Sequence, residues 1–369
     1  MISSLLAPLL LTLATLAQTA PGDTATATTA QSPQTAPVPQ PTQDSPVQES
    51  EAPLQDHEVA RIDGVSISAD TFYRYLSLVY ARLPEGNQAL DQLLLEEILQ
   101  QRAAAAGITV EEAEVDEVFA ELDARAREAT DGAMGLADSV GPERAEALRH
   151  GVSLATMHRK LVAHEQGLER PADVDDAMLQ DWLDRAFETA DVQEASLGDA
   201  IAVTWSGGSL TRATVGARIA QILTPADLTG LLTELLGIHA IRHRAAVMGI
   251  EVTPEAAADE LLERQQQVSS NPDAAGVSYA DIVGQVYQRS TAELVASPKF
   301  GAEVLLRLMV DIEWDEPSLA SLFESQRSLF QEQLGGPVEF EQARFAVIKK
   351  VRQGMYQQLL AASSIVRRF

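Results

Sequence analysis

One stretch of this chain occurs twice. Leu93 to Leu122, LLLEEILQQRAAAAGITVEEAEVDEVFAEL, is echoed by Leu235 to Arg264, LLGIHAIRHRAAVMGIEVTPEAAADELLER. Arg102-Ala103-Ala104 aligns with Arg244-Ala245-Ala246, Gly107-Ile108 with Gly249-Ile250, and Val110 with Val252. Each copy reads as an amphipathic helix, a glycine stop, a short apolar link and a second helix. Ala and Leu favour the first helix, and glycine takes the left-handed backbone that closes it. Thr253-Pro254 supplies a hydroxyl N-cap followed by proline at the first helical position. The first copy has Glu111-Glu112 there, which suits the positive end of the helix dipole but lacks the hydroxyl. A pattern shared over this length reads as an internal duplication.

The echo extends outward from these pairs. AVTWSGGSLT (Ala202 to Thr211) follows the outline of VARIDGVSIS (Val59 to Ser68), with Trp205 at the Ile62 position, Gly207 at Gly64 and Leu210 at Ile67. Each strand-like opening leads into a helix, Phe72 to Tyr80 in one copy and Val215 to Leu223 in the other. Later helices are expected over Leu148 to Val162, Asp176 to Phe187, Tyr279 to Leu294 and Ala302 to Val310. Leu319, Leu322 and Phe323 mirror Leu179, Trp182 and Leu183. The expected fold is mainly α, with one repeat over 58–198, a second over 199–338, and a single long helix over 339–369. That last helix carries Arg344, Lys349, Lys350, Arg352, Arg367 and Arg368, with no acidic residue after Glu341. On a chain with a formal charge of −27 it is expected to lie against the acidic body.

The N-terminal part is of another kind. Residues 1–20 read as a signal peptide: the apolar run from Leu5 to Leu16 is too short to span a bilayer, and small residues follow it. Residues 21–57 hold seven of the chain's seventeen prolines among Thr, Gln, Ser and Ala, with no aromatic residue. Such a segment buries too little apolar surface to offset its ordering entropy and is expected to be a disordered spacer. The expected location is therefore periplasmic or otherwise exported. Strong acidity argues against nucleic acid or anionic lipid as the main partner. The absence of cysteine removes disulfides, thiol chemistry and zinc–thiolate sites.

VARIDGVSIS, the helix with Phe72, Tyr75 and Leu76, and the Gly107-Ile108-Thr109-Val110 joint running on to Glu114-Val115 resemble the N-terminal chaperone domain of the SurA, PrsA and trigger-factor-like group. The resemblance covers Glu58 to Asp123 well and Ala202 to Gln267 more weakly. It implies a helical chaperone fold, in which sequence after the helical arm returns to complete the core. It also implies extended or unfolded polypeptide clients. Many members add a parvulin isomerase domain, with an H-I-L-type strand and glycine-rich segments, and nothing in this chain matches it.

Catalytic signatures are sparse. His239 and His243 stand one helical turn apart, but no glutamate follows His239 as a zinc-protease motif requires, and Arg242 and Arg244 flank the pair. The acidic pairs Glu96-Glu97, Glu111-Glu112 and Asp175-Asp176 are what solvated helix faces of an acidic chain carry. Nucleotide-loop and nucleophile-elbow motifs are absent, so no catalytic residue, metal ligand or cofactor is expected. The expected function is an ATP-independent holdase. Its candidate client-binding residues are Phe72, Tyr73, Tyr75, Leu76 and Tyr80, three tyrosines and two other apolar side chains on one helix. A degenerate peptidyl-prolyl isomerase and an adaptor for one specific partner are the alternatives.

Overall fold

A computed structural model describes residues 53–129, 135, 142–270 and 276–368. The expected signal peptide, most of the proline-rich segment, most of the loop over 129–144 and part of the polar loop over 269–278 lie outside the described residues. The chain is mainly helical, with small sheets. It divides into two compact units, one built from residues 95–191 and the other from residues 52–94 together with 192–369. This division cuts across the two expected repeats, because the opening hairpin and first helix share a core with Leu232, Leu236 and the helices that follow them.

The larger unit begins with strands β1 (Glu58–Ile62) and β2 (Val65–Ser68) and helix α1 (Ala69–Tyr80). Helix α2 (Pro84–Ala106) starts in this unit and ends in the other. A two-residue turn, Asp63-Gly64, joins β1 to β2, and both residues have positive φ (48° and 77°), as the right-handed twist of a hairpin prefers. Ser68 caps α1 by accepting from the Thr71 amide at 3.1 Å. The second opening repeats these details. Strands β4 (Ile201–Trp205) and β5 (Gly208–Thr211) pair with the same register and the same irregularity, between Ile201 and Val203 as between Glu58 and Ala60. Thr211 caps helix α6 (Arg212–Ile222) at 3.1 Å.

Each hairpin gains a third strand, a neighbouring one for the second hairpin and one from far along the chain for the first. The short β3 (Gln193–Glu194) pairs antiparallel with β4, and β6 (Ile365–Arg367) pairs antiparallel with β1. Helices α1 and α6 lie side by side. They approach so closely that a Cβ on Gly216 would stand 1.8 Å from the Tyr73 carbonyl oxygen. Only glycine fits that contact.

After α6 come α7 (Pro225–Val247), α8 (Pro254–Ser270), α9 (Tyr279–Tyr287), α10 (Thr291–Val295), α11 (Pro298–Glu313), α12 (Glu316–Ser325), α13 (Arg327–Gln333) and α14 (Phe340–Ala362). The helix expected over Tyr279 to Leu294 is two helices, broken where Gln288 turns left-handed at φ 52°. The C-terminal helix is also shorter than expected. It stops at Ala362, Ser363 turns extended, and the remaining residues form β6 instead of further helix. The physical reason is tertiary: the β1 edge and Asp63 offer these residues better partners. Asp63 accepts from Ser363 Oγ and from the Ser364 amide, both at 2.9 Å. The expected contact of this helix with acidic residues holds for Arg344, which pairs with Glu316, and for Arg352, which pairs with Glu260 and Glu263.

The smaller unit contains the end of α2, α3 (Glu112–Ala129), α4 (Pro142–Gln166), a short 3-10 turn (Pro171–Asp173) and α5 (Asp176–Ala190). The Gly107 stop has φ 67°, with the Ile108 amide donating to Ala103 and the Gly107 amide to Ala104. Gly249, in the larger unit, repeats this at φ 68°, with Ile250 donating to Ala245 and Gly249 to Ala246. Both are Schellman closures, at positions the sequence alignment pairs. Lys160 ties α4 to the link after Gly107, donating to the Thr109 carbonyl at 2.7 Å and to Glu114 at 2.8 Å. Trp182 is buried; its indole donates to Glu165 at 2.9 Å, and its ring lies 4.8 Å from His158 and 5.2 Å from the Arg102 guanidinium.

Candidate functional site

The residues expected to contact clients do not form an exposed lip. Phe72, Tyr75 and Leu76 are core residues, and Tyr73 and Tyr80 are half-buried. Burial and the nearby Glu234 charge push the Tyr75 hydroxyl well above its usual range. Val215 and Ile219 on α6 are buried as well. The apolar stripe of α1 is satisfied inside the molecule, so that part of the sequence reading is corrected. His239 and His243 gather no third ligand: among the described residues, no group of three or more His, Asp or Glu is placed to hold a metal. His239 is half-buried, and burial and Arg242 push its imidazole down.

What the larger unit does hold is a pocket of about 190 Å³ beside α1 and α6. Its wall comes from α1 (Arg74, Leu78), the β3–β4 loop (Leu197, Gly198, Asp199), the first residue of α6 (Arg212), and the segment from Arg289 through Glu293 to Pro298 at the start of α11. Arg212 is only 4% exposed and organises the loop. Its Nε donates to the Asp199 carbonyl at 2.9 Å, and its Nη2 to the Ser196 and Ala195 carbonyls at 2.8 and 3.3 Å. A fixed guanidinium fork suits this work, because several carbonyls can be met at once with little further entropy loss.

Arg289 follows the left-handed Gln288 and reaches the C-terminal end of α1. Its Nη2 donates to the Leu78 and Val79 carbonyls, which have no helical partner of their own. Its Nε is buried and donates to no protein acceptor. Arg74 is exposed, and among the described residues no ion pair holds its guanidinium. Arg82, nearby, is held by Glu194 and by Glu293 at 3.4 Å. Burial pulls the Arg212 and Arg289 guanidinia down from their usual value, with Asp199 opposing it at Arg212 and Glu293 at Arg289. Three arginines and two carboxylates thus line one cavity of a chain that is otherwise strongly acidic.

No motif in the sequence pointed to this pocket. Arg74, Arg212 and Arg289 come from three distant segments. The one available hint was a cation opening α6 just where the first copy has Ala69. Compared with known proteins, the chain matches no family model, no curated protein and no solved structure.

Proposed function

We propose that this chain is an exported, ATP-independent holdase that binds unfolded polypeptides weakly and reversibly. The observation that carries this reading is an apolar end on the larger unit. Val247 and Ile312 are 67% and 65% exposed, the highest values among its large apolar side chains. They sit at the ends of α7 and α11, which the Arg244–Glu313 ion pair draws together at 3.5 Å. Val252, past the Gly249 stop, is exposed too, while Met248, Ile250 and Trp314 pack against the core. Single exposed apolar residues are ordinary, but two that end neighbouring, ion-paired helices offer apolar area to a client chain. A holdase acts by preferring the unfolded state, so such a surface needs apolar area and no catalytic group. The net charge of −27 would keep client complexes soluble. Export rests on the apolar leader.

The test follows light scattering as a chemically unfolded protein is diluted into buffer with residues 53–369. Aggregation is expected to be suppressed near equimolar ratio. Changing Val247→Ser and Ile312→Ser together should raise the half-suppressing concentration about tenfold, since losing two apolar contacts costs about 1.4 kcal/mol or more. Unchanged aggregation across a wide excess of the unaltered chain would sink the holdase reading.

A further inference from the structure

We propose that the pocket bounded by Arg74, Arg212 and Arg289 binds a carboxylate group, borne either by a small organic acid or by the C-terminus of an extended polypeptide. Four features point to this chemistry. The lining holds three guanidinia against the carboxylates of Asp199 and Glu293, one positive charge in excess, which a monoanion neutralises. A phosphate dianion would overshoot that balance and meet both acids. Arg289 keeps a fixed positive charge on the wall, its Nη2 held by the Leu78 and Val79 carbonyls. Arg74 has its whole guanidinium fork available at the rim, matched to the two oxygens of a carboxylate. The volume, about 190 Å³, is below that of drug-sized sites and suits one small acid or one terminal residue.

The surrounding geometry is fixed before any ligand arrives. Arg212 is locked by three loop carbonyls and Arg289 by two carbonyls of α1, so binding need order only Arg74. The inference stands apart from the holdase reading, because the pocket and the apolar end formed by Val247 and Ile312 involve different residues.

Isothermal titration and fluorescence anisotropy decide it, with four probes: a labelled apolar hexapeptide with a free C-terminus, the same peptide amidated, acetate and inorganic phosphate. Binding of the free-acid peptide with at least tenfold loss on amidation supports the proposal and gives the source as a polypeptide end. Saturable acetate binding without discrimination between the peptides supports it with a small acid as the source. In either case Arg74→Gln should weaken binding about tenfold, and its thermal melt should be unchanged because Arg74 holds nothing in the fold. Arg74→Glu supplies a second variant: it reverses the charge on the pocket wall and leaves the Arg212 and Arg289 contacts in place. It should abolish binding. The proposal is overturned if neither peptide nor acetate binds, if phosphate binds more tightly than either carboxylate, or if both variants retain full affinity.

Discussion

His158 illustrates how one residue couples the smaller unit to pH. It is 3% exposed and packed at a tilt against Trp182, and burial depresses its imidazole from 6.5 to about 4. In the unfolded chain it takes up a proton near pH 6.5; in the folded chain only near 4. Between those values protons favour the unfolded state. Stability from this residue is complete above about pH 6.5 and falls as the pH drops towards 4, by at most about 3 kcal/mol. Urea titrations of the chain at pH 7 and pH 4.5, followed by tryptophan fluorescence, should show that loss, and His158→Leu should flatten it. An equally steep pH dependence in the variant would remove His158 as the cause. The sequence offered His158 no recognisable spacing, since its role depends on a tryptophan from another helix. Gly107 and Gly249, by contrast, were legible, because a helix stop needs only local backbone freedom. Gly216 was not, because only the packing of α1 on α6 demands its missing side chain.

Elements joined by charge carry the second prediction. Glu260 on α8 is 2% exposed and is met by Arg264 at 2.9 Å, Arg352 of α14 at 3.3 Å and Arg307 of α11 at 3.7 Å. Burial pushes its carboxyl up, and Arg352 and Arg264 oppose that. Arg264 also reaches Glu303 at 2.5 Å and lies over the Phe300 ring at 4.9 Å, so one network pins three helices. Removing one member of such a buried set leaves uncompensated charge. Glu260→Ala should therefore cost about 3–5 kcal/mol in chemical denaturation, and the more exposed Glu263→Ala about 1. A loss below 1 kcal/mol for Glu260→Ala would show that the arginines find solvent instead. Helix positions themselves were readable from apolar spacing, as with the mirrored Leu179 and Leu319; the structure adds that Asp175 and Asp315 cap their helices, α5 and α12. That a glutamate in the duplicated stretch would be buried among arginines was not readable, because its partners lie far along the chain.

On the scale of the whole molecule, the chain's last strand completes its first sheet. Beyond the Asp63 contacts with Ser363 and Ser364, the Arg368 amide donates to the Val59 carbonyl at 2.9 Å and its guanidinium to Gln55 at 2.6 Å. Ending the chain at Ser364 would strip the β1 edge of its partner. Amide hydrogen exchange should then accelerate in β1 and β2, with a lower melting temperature by about 2–4 °C per kcal/mol lost. Unaltered protection in β1 would mean that the hairpin stands without β6. Sequence alone determined the mainly helical class, the glycine helix stops and the Thr253 cap, since each depends on residues a few positions apart. Tertiary structure decided which apolar faces are covered, where the compact units divide, that the C-terminal basic run ends in a strand, and that three scattered arginines meet. All of these depend on contacts between segments well separated in the chain, and an amphipathic stripe has the same spacing whether its partner is another helix or another protein.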